Sequence, residues 1–202
     1  MNSITSTSSI TDQKAALRKR MRAMGAPLGA AEREQAAQSL CRMLEQQPCW
    51  VQARLILAFI PMPVEVDVLP ALERARRAGK RLALPRFRPV QKDYEICEVG
   101  DLTSDLQMGA FNISEPSAHC PTVALPELDF VLVPGLAFDR TGQRLGRGKG
   151  FFDRMLSQVT GVKCGVTFDW QIVDHVPIEP HDIALDCLVT PTQWLDCRSR
   201  TI

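Results

Sequence analysis

The chain has 202 residues, of which 45% are hydrophobic and 23% are charged, an ordinary composition for a soluble globular protein. The formal net charge is only +1, so no global field indicates nucleic-acid binding, and any basic site must be local. The longest uninterrupted apolar run, residues 55–63, is too short to span a bilayer.

The amino terminus and the cysteines indicate how the chain is placed in the cell. The first eleven residues are uncharged and rich in serine and threonine, without an apolar segment or the arginines of a transit peptide. We therefore predict a disordered tail over residues 1–11. The seven cysteines are scattered and odd in number, which favours reduced thiols and a cytoplasmic location. The three histidines are unclustered, so no zinc site is expected.

Two amphipathic helices are predicted in the first quarter of the chain. The first begins at Thr11 or Asp12, either of which can act as its cap, and ends before Gly25. An apolar stripe on this helix contains Leu17, Met21 and Met24. A basic stripe on another face contains Lys14, Arg18 and Arg22. A second helix is predicted over residues 30–46.

Beyond residue 48, strands and helices alternate. Strands are predicted over residues 54–60, 81–85, 94–99, 129–133, 163–168 and 187–190. Helices are predicted over residues 68–78, closed by Gly79, and over residues 151–159. The alternation predicts an α/β fold: a single three-layer α/β/α domain over residues 12–202, with a largely parallel central sheet and an N-terminal helical segment.

Residues 134–153, PGLAFDRTGQRLGRGKGFFD, are the most distinctive segment. The glycines are Gly142, Gly146, Gly148 and Gly150, and the interleaved cations are Arg144, Arg147 and Lys149. The segment leads from an apolar strand into a predicted helix, which is a typical place for bound phosphate. A solvated turn is the alternative, and the spacing fits neither GxxxxGK[ST] nor GxGxxG, so a standard nucleotide-binding fold is not indicated.

Other residues could contribute chemistry, each with a plain alternative. Lys14 and Arg18 could form a solvated face or could bring their charges to the glycine-rich segment. Glu65 could be a surface acid or could pair with an amide-and-amine ring such as a pterin. Asp153 and Asp186 could share Mg²⁺ if a nucleotide is bound. Either an apolar pocket or ordinary core packing accounts for Met62, Phe111, Phe151, Phe152 and Trp170.

The segment PGLAFDRTGQRLGRGKGFFDRML closely resembles the signature of the 5-formyltetrahydrofolate cyclo-ligase family. Four further segments resemble parts of the family in the family's order, so the similarity covers nearly the whole chain after about residue 12. They are KAALRKRMRAM, PMPVEVD, GAFNISEP and VPIEPHDIALDCLVTP. The resemblance implies an ATP- and Mg²⁺-dependent ligase that converts 5-formyltetrahydrofolate to 5,10-methenyltetrahydrofolate and releases ADP and phosphate.

The resemblance also implies roles for individual residues. ATP would contact Lys14, Arg18, Arg144, Leu145, Gly146, Arg147, Gly148, Lys149, Gly150, Phe151 and Phe152. The catalytic cations would be Arg144, Arg147 and Lys149. The folate would contact Met62, Glu65, Phe111, Glu115 and Phe151. The magnesium-linked acids would be Asp153 and Asp186.

One position departs from the family pattern and leaves an alternative open. The family usually has Tyr where this chain has Phe152, so one hydroxyl is missing. A binding regulator with the same fold and reduced turnover is therefore a second hypothesis. A nucleic-acid-binding module is a third, against which the near-neutral charge and the single tyrosine argue. We expect a monomer that binds small molecules, and neither nucleic acid nor a membrane.

Overall fold

A computed structural model describes residues 9–25, 28–109, 112–148 and 150–198, with the backbone alone at Phe151. The α-helices in these ranges are α1 (Ile10–Met24), α2 (Ala30–Glu45), α3 (Pro48–Gln52), α4 (Leu69–Arg77) and α5 (Phe151–Leu156). Not one helix within the described ranges combines the length and the hydropathy that crossing a membrane requires.

Twelve strands lie in the same ranges. The first six are β1 (Leu55–Leu57), β2 (Arg81–Arg88), β3 (Asp93–Val99), β4 (Leu106–Met108), β5 (Ser114–Pro116) and β6 (Phe130–Pro134). The remaining six are β7 (Ala137–Asp139), β8 (Arg144–Leu145), β9 (Val162–Val166), β10 (Ile172–Val173), β11 (Cys187–Val189) and β12 (Trp194–Asp196).

Seven of these strands form the central sheet, in the order β12-β11-β9-β6-β1-β2-β3. The five inner strands are parallel, and antiparallel β3 and β12 close the two edges. The sheet confirms the predicted α/β class with a largely parallel centre. Since β1 and β6 are neighbouring parallel strands, the segments that follow them leave from the same end of the sheet, at the carboxyl ends of the strands.

Both faces of the sheet are covered, because successive strand residues point to opposite sides. On one face, Ile56 and Leu132 pack with Leu40 and Leu72 of helices α2 and α4. On the other face, Leu57 and Val133 pack with α5 and with a small sheet of β10, β7 and β8. Burying a leucine or valine side chain in this way contributes about 2 kcal/mol, so both faces stabilise the fold.

Helix α1 begins at Ile10, one residue before the predicted start at Thr11 and two before that at Asp12. The side chain of Ser9 accepts a hydrogen bond from the Asp12 backbone amide and caps the helix. Ser9, Ile10 and Thr11 therefore do not belong to a tail, and residues 1–8 lie outside the described residues. The apolar stripe is also shorter than predicted: Leu17 and Met21 are buried, but Met24 is exposed.

Several short strands were not predicted. The prediction treated residues 134–150 as one loop, whereas β7 and β8 form a hairpin inside it. Strands β4, β5, β10 and β12 also went unrecognised. Conversely, β1 is shorter than predicted, because the chain leaves the sheet after Leu57 to form the loop that carries Glu65.

Candidate active site

A pocket of about 440 Å³ opens at the carboxyl ends of the central strands β1 and β6. This volume lies within the range of sites for small molecules. One wall is apolar and is lined by Phe59, Ile60, Met62, Leu84, Tyr94 and Ile113. The opposite side carries the glycine-rich segment, the start of α5 and one face of α1, so residues far apart in sequence meet here.

Helix α1 folds back onto the glycine-rich segment. The Nε atom of Arg18 donates a hydrogen bond to the carbonyl oxygen of Gly146 at 3.0 Å. Gly148 has φ +100°, and a Cβ atom there would stand 3.4 Å from the Arg18 guanidinium carbon. Glycine adopts this left-handed conformation without strain, and it lets the backbone pass close beneath the arginine.

Lys14 lies deeper in the pocket, between two carboxylates. Its ammonium donates to Glu179 at 2.7 Å and to Asp182 at 2.5 Å. Burial lowers the pKa of Lys14, but the hydrogen bonds and charges of Asp182 and Glu179 outweigh burial and leave the pKa above its ordinary value. For Asp182, burial raises the pKa, but the hydrogen bonds from Lys14 and the Glu179 amide outweigh burial. The pKa of Asp182 is therefore below its ordinary value.

Arg144 forms the floor of the pocket. Its guanidinium donates to Asp153 at 2.8 Å and to the carbonyl of Pro134 at 3.3 Å. The guanidinium also lies 5.6 Å from the centre of the Phe152 ring, a cation–π distance. The buried Nε atom of Arg144 has no hydrogen-bond partner in the described part of the chain. This arginine therefore fixes the start of α5 through Asp153, and its Nε–H group can still donate a hydrogen bond.

Glu65 and Arg147 join the two sides of the pocket. Arg147 donates from Nη2 to Glu65 Oε1 at 2.8 Å. The other carboxylate oxygen of Glu65 accepts from the Met62 backbone amide at 2.9 Å. The loop after β1 and the glycine-rich segment are thus in direct contact, although 82 positions separate the two residues in the sequence.

Glu115 lies on the apolar side of the pocket and is almost fully buried. Its carboxylate accepts from the Phe87 backbone amide at 3.2 Å. Gly109 passes directly against this carboxylate, and a Cβ atom there would come within 2.5 Å of it. The glycine at position 109 therefore makes room for the acid.

The structure does not bring Asp186 to Asp153, so the predicted pairing of these two acids is corrected. Asp186 precedes β11 and accepts a hydrogen bond from the Lys163 amide at the start of β9. It therefore lies at the amino ends of the parallel strands, whereas the pocket lies at their carboxyl ends. Asp153 lines the pocket, and the acids that line it with Asp153 on the C-terminal side of the chain are Glu179 and Asp182.

The remaining predicted residues fall into three groups. Leu145, Gly146, Gly148, Gly150 and Phe152 all line the pocket, and Leu145 also packs against the buried face of α1. Phe111, Lys149 and the side chain of Phe151 lie outside the described residues. Trp170 stacks on Phe168, at 6.3 Å between ring centres, and lines a second, smaller cavity instead.

Sequence reasoning missed Glu179, Asp182 and Tyr94. The two acids stand in IEPHD, within the segment VPIEPHDIALDCLVTP that resembles the family, but no local pattern marks them out from Asp186. Their partner Lys14 lies 165 and 168 positions away, so only the fold reveals the contact. Tyr94 lies in the predicted strand over residues 94–99, and the structure places it opposite Phe87 of β2 and in the lining of the pocket.

Fold and site together define an α/β protein whose pocket combines a cation-bearing glycine-rich segment with an apolar wall. Residues 10–191 match the family model described as the 5-formyltetrahydrofolate cyclo-ligase family. The chain therefore belongs to the 5-formyltetrahydrofolate cyclo-ligase family. The reaction known for this family is the ATP-dependent conversion of 5-formyltetrahydrofolate to 5,10-methenyltetrahydrofolate.

Individual relatives agree with the family assignment. The chain is 35% identical to a 5-formyltetrahydrofolate cyclo-ligase of Escherichia coli over 166 residues, covering 80% of this chain and 91% of the relative. It is 32% identical to one of Mycolicibacterium smegmatis, covering 72% and 77% of the two chains. The fold is similar to the solved structure of Aquifex aeolicus 5,10-methenyltetrahydrofolate synthetase, with a TM-score of 0.83, 32% identity, and coverage of 94% and 95%.

The ion pairs of Lys14 give a stability prediction. Replacing Asp182 by Asn should lower the free energy of unfolding at pH 7 by about 2 kcal/mol, because a hydrogen bond between charged groups is lost. The folded pKa of Asp182 is lowered, so its contribution is present above the unfolded pKa of about 4 and is lost as the pH falls further. Urea unfolding should therefore show the difference from wild type shrinking between pH 5 and pH 3.

A matched control is the exposed pair between Arg74 and Glu45, 2.7 Å apart. Glu45→Gln should cost less than about 1 kcal/mol at pH 7. Equal losses for the two substitutions would show that Asp182 is not held in a partly buried ion pair.

Proposed function

We propose that this protein converts 5-formyltetrahydrofolate and ATP to 5,10-methenyltetrahydrofolate, ADP and phosphate. The observation that carries the proposal is the contact between Arg147 and Glu65 within one pocket. The glycine-rich segment, which is proposed to hold phosphate, and the Glu65 carboxylate, which suits a pterin ring, therefore lie side by side. Transfer of a phosphoryl group between two bound substrates requires such proximity. Membership of the cyclo-ligase family supports the same reaction.

The phosphates of ATP are proposed to lie along the glycine-rich segment. Arg18, Arg144 and Arg147 line this side of the pocket and supply guanidinium donors. Lys149 completes the set of cations on the basis of the sequence. Positive φ values at Gly148 and Gly150 support a backbone that approaches the anion closely.

The folate is proposed to occupy the other half of the pocket. Glu65 would accept hydrogen bonds from the amine-and-amide edge of the pterin, with Met62 beside it. The apolar wall suits the flat faces of the pterin and benzoyl rings. Glu115 is a second carboxylate on this side, and its burial favours a ligand that donates hydrogen bonds over an anion.

Charge balance supports a divalent cation. The described residues that line the pocket include four cations, Lys14, Arg18, Arg144 and Arg147. They also include five carboxylates, Glu65, Glu115, Asp153, Glu179 and Asp182. A triphosphate adds further negative charge, which Mg²⁺ would neutralise while binding carboxylate and phosphate oxygens. We propose Asp153 and Asp182 as its ligands, in place of the predicted pair of Asp153 and Asp186.

The reaction proposed for this site has two steps. The formyl oxygen attacks the γ-phosphorus, forming an O–P bond while the bond to the β-phosphate oxygen breaks and ADP leaves. The N10 nitrogen then attacks the activated carbon, the C–O bond breaks, and phosphate departs with the formyl oxygen as the N10 proton is lost. Phosphorylation is needed because a formamide oxygen is a poor leaving group, and the arginines spread along the loop neutralise the charge that moves.

The missing hydroxyl at Phe152 does not favour the alternative of an inactive regulator. The Phe152 ring packs against the second core cluster and faces the Arg144 guanidinium. A phenyl ring fulfils both roles without a hydroxyl. The enzyme therefore remains the better supported function.

We also propose that the chain from Ser9 onward acts as a single domain and a cytoplasmic monomer. All seven cysteines are free thiols, as is usual in a reducing compartment. The residues proposed to hold both substrates all belong to a single chain. Light scattering should give the mass of one chain, and the mass of two chains would contradict the monomer.

The central assay follows the methenyl product by its absorbance. Purified protein with MgATP should form the product from 5-formyltetrahydrofolate and release one phosphate for each product molecule. Without the folate, phosphate release should be at background. Folate binding in calorimetry without any phosphate release would select the regulator instead.

The proposed ligand pair of Asp153 and Asp182 is tested by the magnesium requirement. Asp182→Asn should raise the Mg²⁺ concentration needed for half-maximal activity by about tenfold, the order of effect that loss of one ligand interaction of about 1.4 kcal/mol produces. Asp186→Asn is the matched control and should leave that concentration unchanged, because Asp186 lies at the amino ends of the parallel strands, away from the pocket. The reverse pattern would restore the original assignment.

A further inference from the structure

The ion pair between Glu65 and Arg147 has a consequence for the order in which the pocket is filled. Both oxygens of the Glu65 carboxylate accept hydrogen bonds, one from Arg147 and one from the Met62 amide. The guanidinium of Arg147 is drawn towards this carboxylate by a charge-assisted bond of 2.8 Å. Each residue is thus bound by the other, although each faces a different ligand in the proposed reaction.

The two partners differ in their freedom to move. The Glu65 side chain is only 10% exposed and is fixed by its own turn, in which the Glu65 amide donates to the Met62 carbonyl at 2.9 Å. The Arg147 side chain is 43% exposed and stands between Gly146 and Gly148. When a ligand competes for one of them, Arg147 is the partner that can swing away.

A competition of this kind is expected when the folate binds. A pterin that donates hydrogen bonds to the Glu65 carboxylate takes up the oxygen that Arg147 now uses. The displaced guanidinium then has an anion within the same pocket, the phosphates of ATP. Conversely, phosphates that attract Arg147 leave Glu65 open to the pterin.

We propose that Glu65 is a positioning residue that couples the two substrates, holding Arg147 away from the phosphate site until the folate ring takes its place. This inference rests on the proposed function. Coupling between two binding equilibria is reciprocal, so the folate tightens ATP binding by the same factor as ATP tightens folate binding. The exchange also keeps Arg147 from assisting ATP hydrolysis when no folate is bound.

The test measures binding of a non-hydrolysable ATP analogue with Mg²⁺ to the full chain by calorimetry. For wild type, 5-formyltetrahydrofolate should tighten the analogue on the order of tenfold, within the usual range of coupling between sites. Glu65→Gln keeps the shape of the side chain and removes its charge. This variant should bind the analogue about tenfold more tightly than wild type when no folate is present, because Arg147 is released.

The gain in affinity is a specific readout, since a damaged or misfolded protein would bind the analogue more weakly. The reciprocal variant, Arg147→Gln, should bind folate alone more tightly and the analogue more weakly. Glu98→Gln is the matched control, because it breaks an ion pair with Arg81 of 2.7 Å on the sheet edge outside the pocket. It should change neither affinity.

Two results would overturn the coupling. One is Glu65→Gln binding the analogue no more tightly than wild type, and the other is independent binding of the analogue and the folate to wild type. Either result, together with normal formation of the methenyl product by wild type, would remove the coupling alone. Absence of product from wild type would remove the proposed function itself.

Discussion

Every lysine and arginine side chain that faces the pocket in the described part of the chain is held by a carboxylate or a carbonyl oxygen. Lys14 binds Glu179 and Asp182, Arg18 binds the Gly146 carbonyl, and Arg147 binds Glu65. Such compensation is a physical requirement, because unpaired charges in a partly buried pocket would cost several kcal/mol. It also determines how α1, the loop after β1 and the glycine-rich segment sit against one another, since these contacts connect them. A ligand that binds these cations therefore meets side chains that already have oxygen partners.

The layers of the fold follow from residue patterns that are visible in the sequence. Helix α2 has its apolar residues at helical spacing, and β6 is a continuous apolar run, so both were predicted within one residue at each end. The short strands were not predictable in the same way. Strand β8 has two residues and pairs with β7 across a tight turn, so its pairing depends on tertiary contacts and not on a periodic pattern. The helix cap at Ser9 was missed because Thr11 and Asp12 are equally good caps by residue type.

The site was predicted only where its residues are close together in the sequence. The glycine-rich segment concentrates its signal in a few consecutive residues, so its place at the pocket could be foreseen from charge and glycine content. Asp182 could not be separated from Asp186 by any local feature, because both are single acids in the same short segment. The fold separates them, since Asp186 binds the start of β9 and Asp182 turns towards Lys14. Pairings across more than 160 positions are set by the packing of whole elements, which a local pattern does not encode.

In the proposed reaction, the glycine-rich segment and the loop of Glu65 hold two substrates close enough for direct transfer between them. The most direct measurement uses 5-formyltetrahydrofolate labelled with oxygen-18 in the formyl group, turned over with unlabelled MgATP in unlabelled water. If the formyl oxygen attacks the γ-phosphorus, the released inorganic phosphate should carry the label, one atom for each methenyl product. Unlabelled phosphate formed alongside the methenyl product would mean that water had cleaved ATP, and it would contradict direct transfer in this pocket.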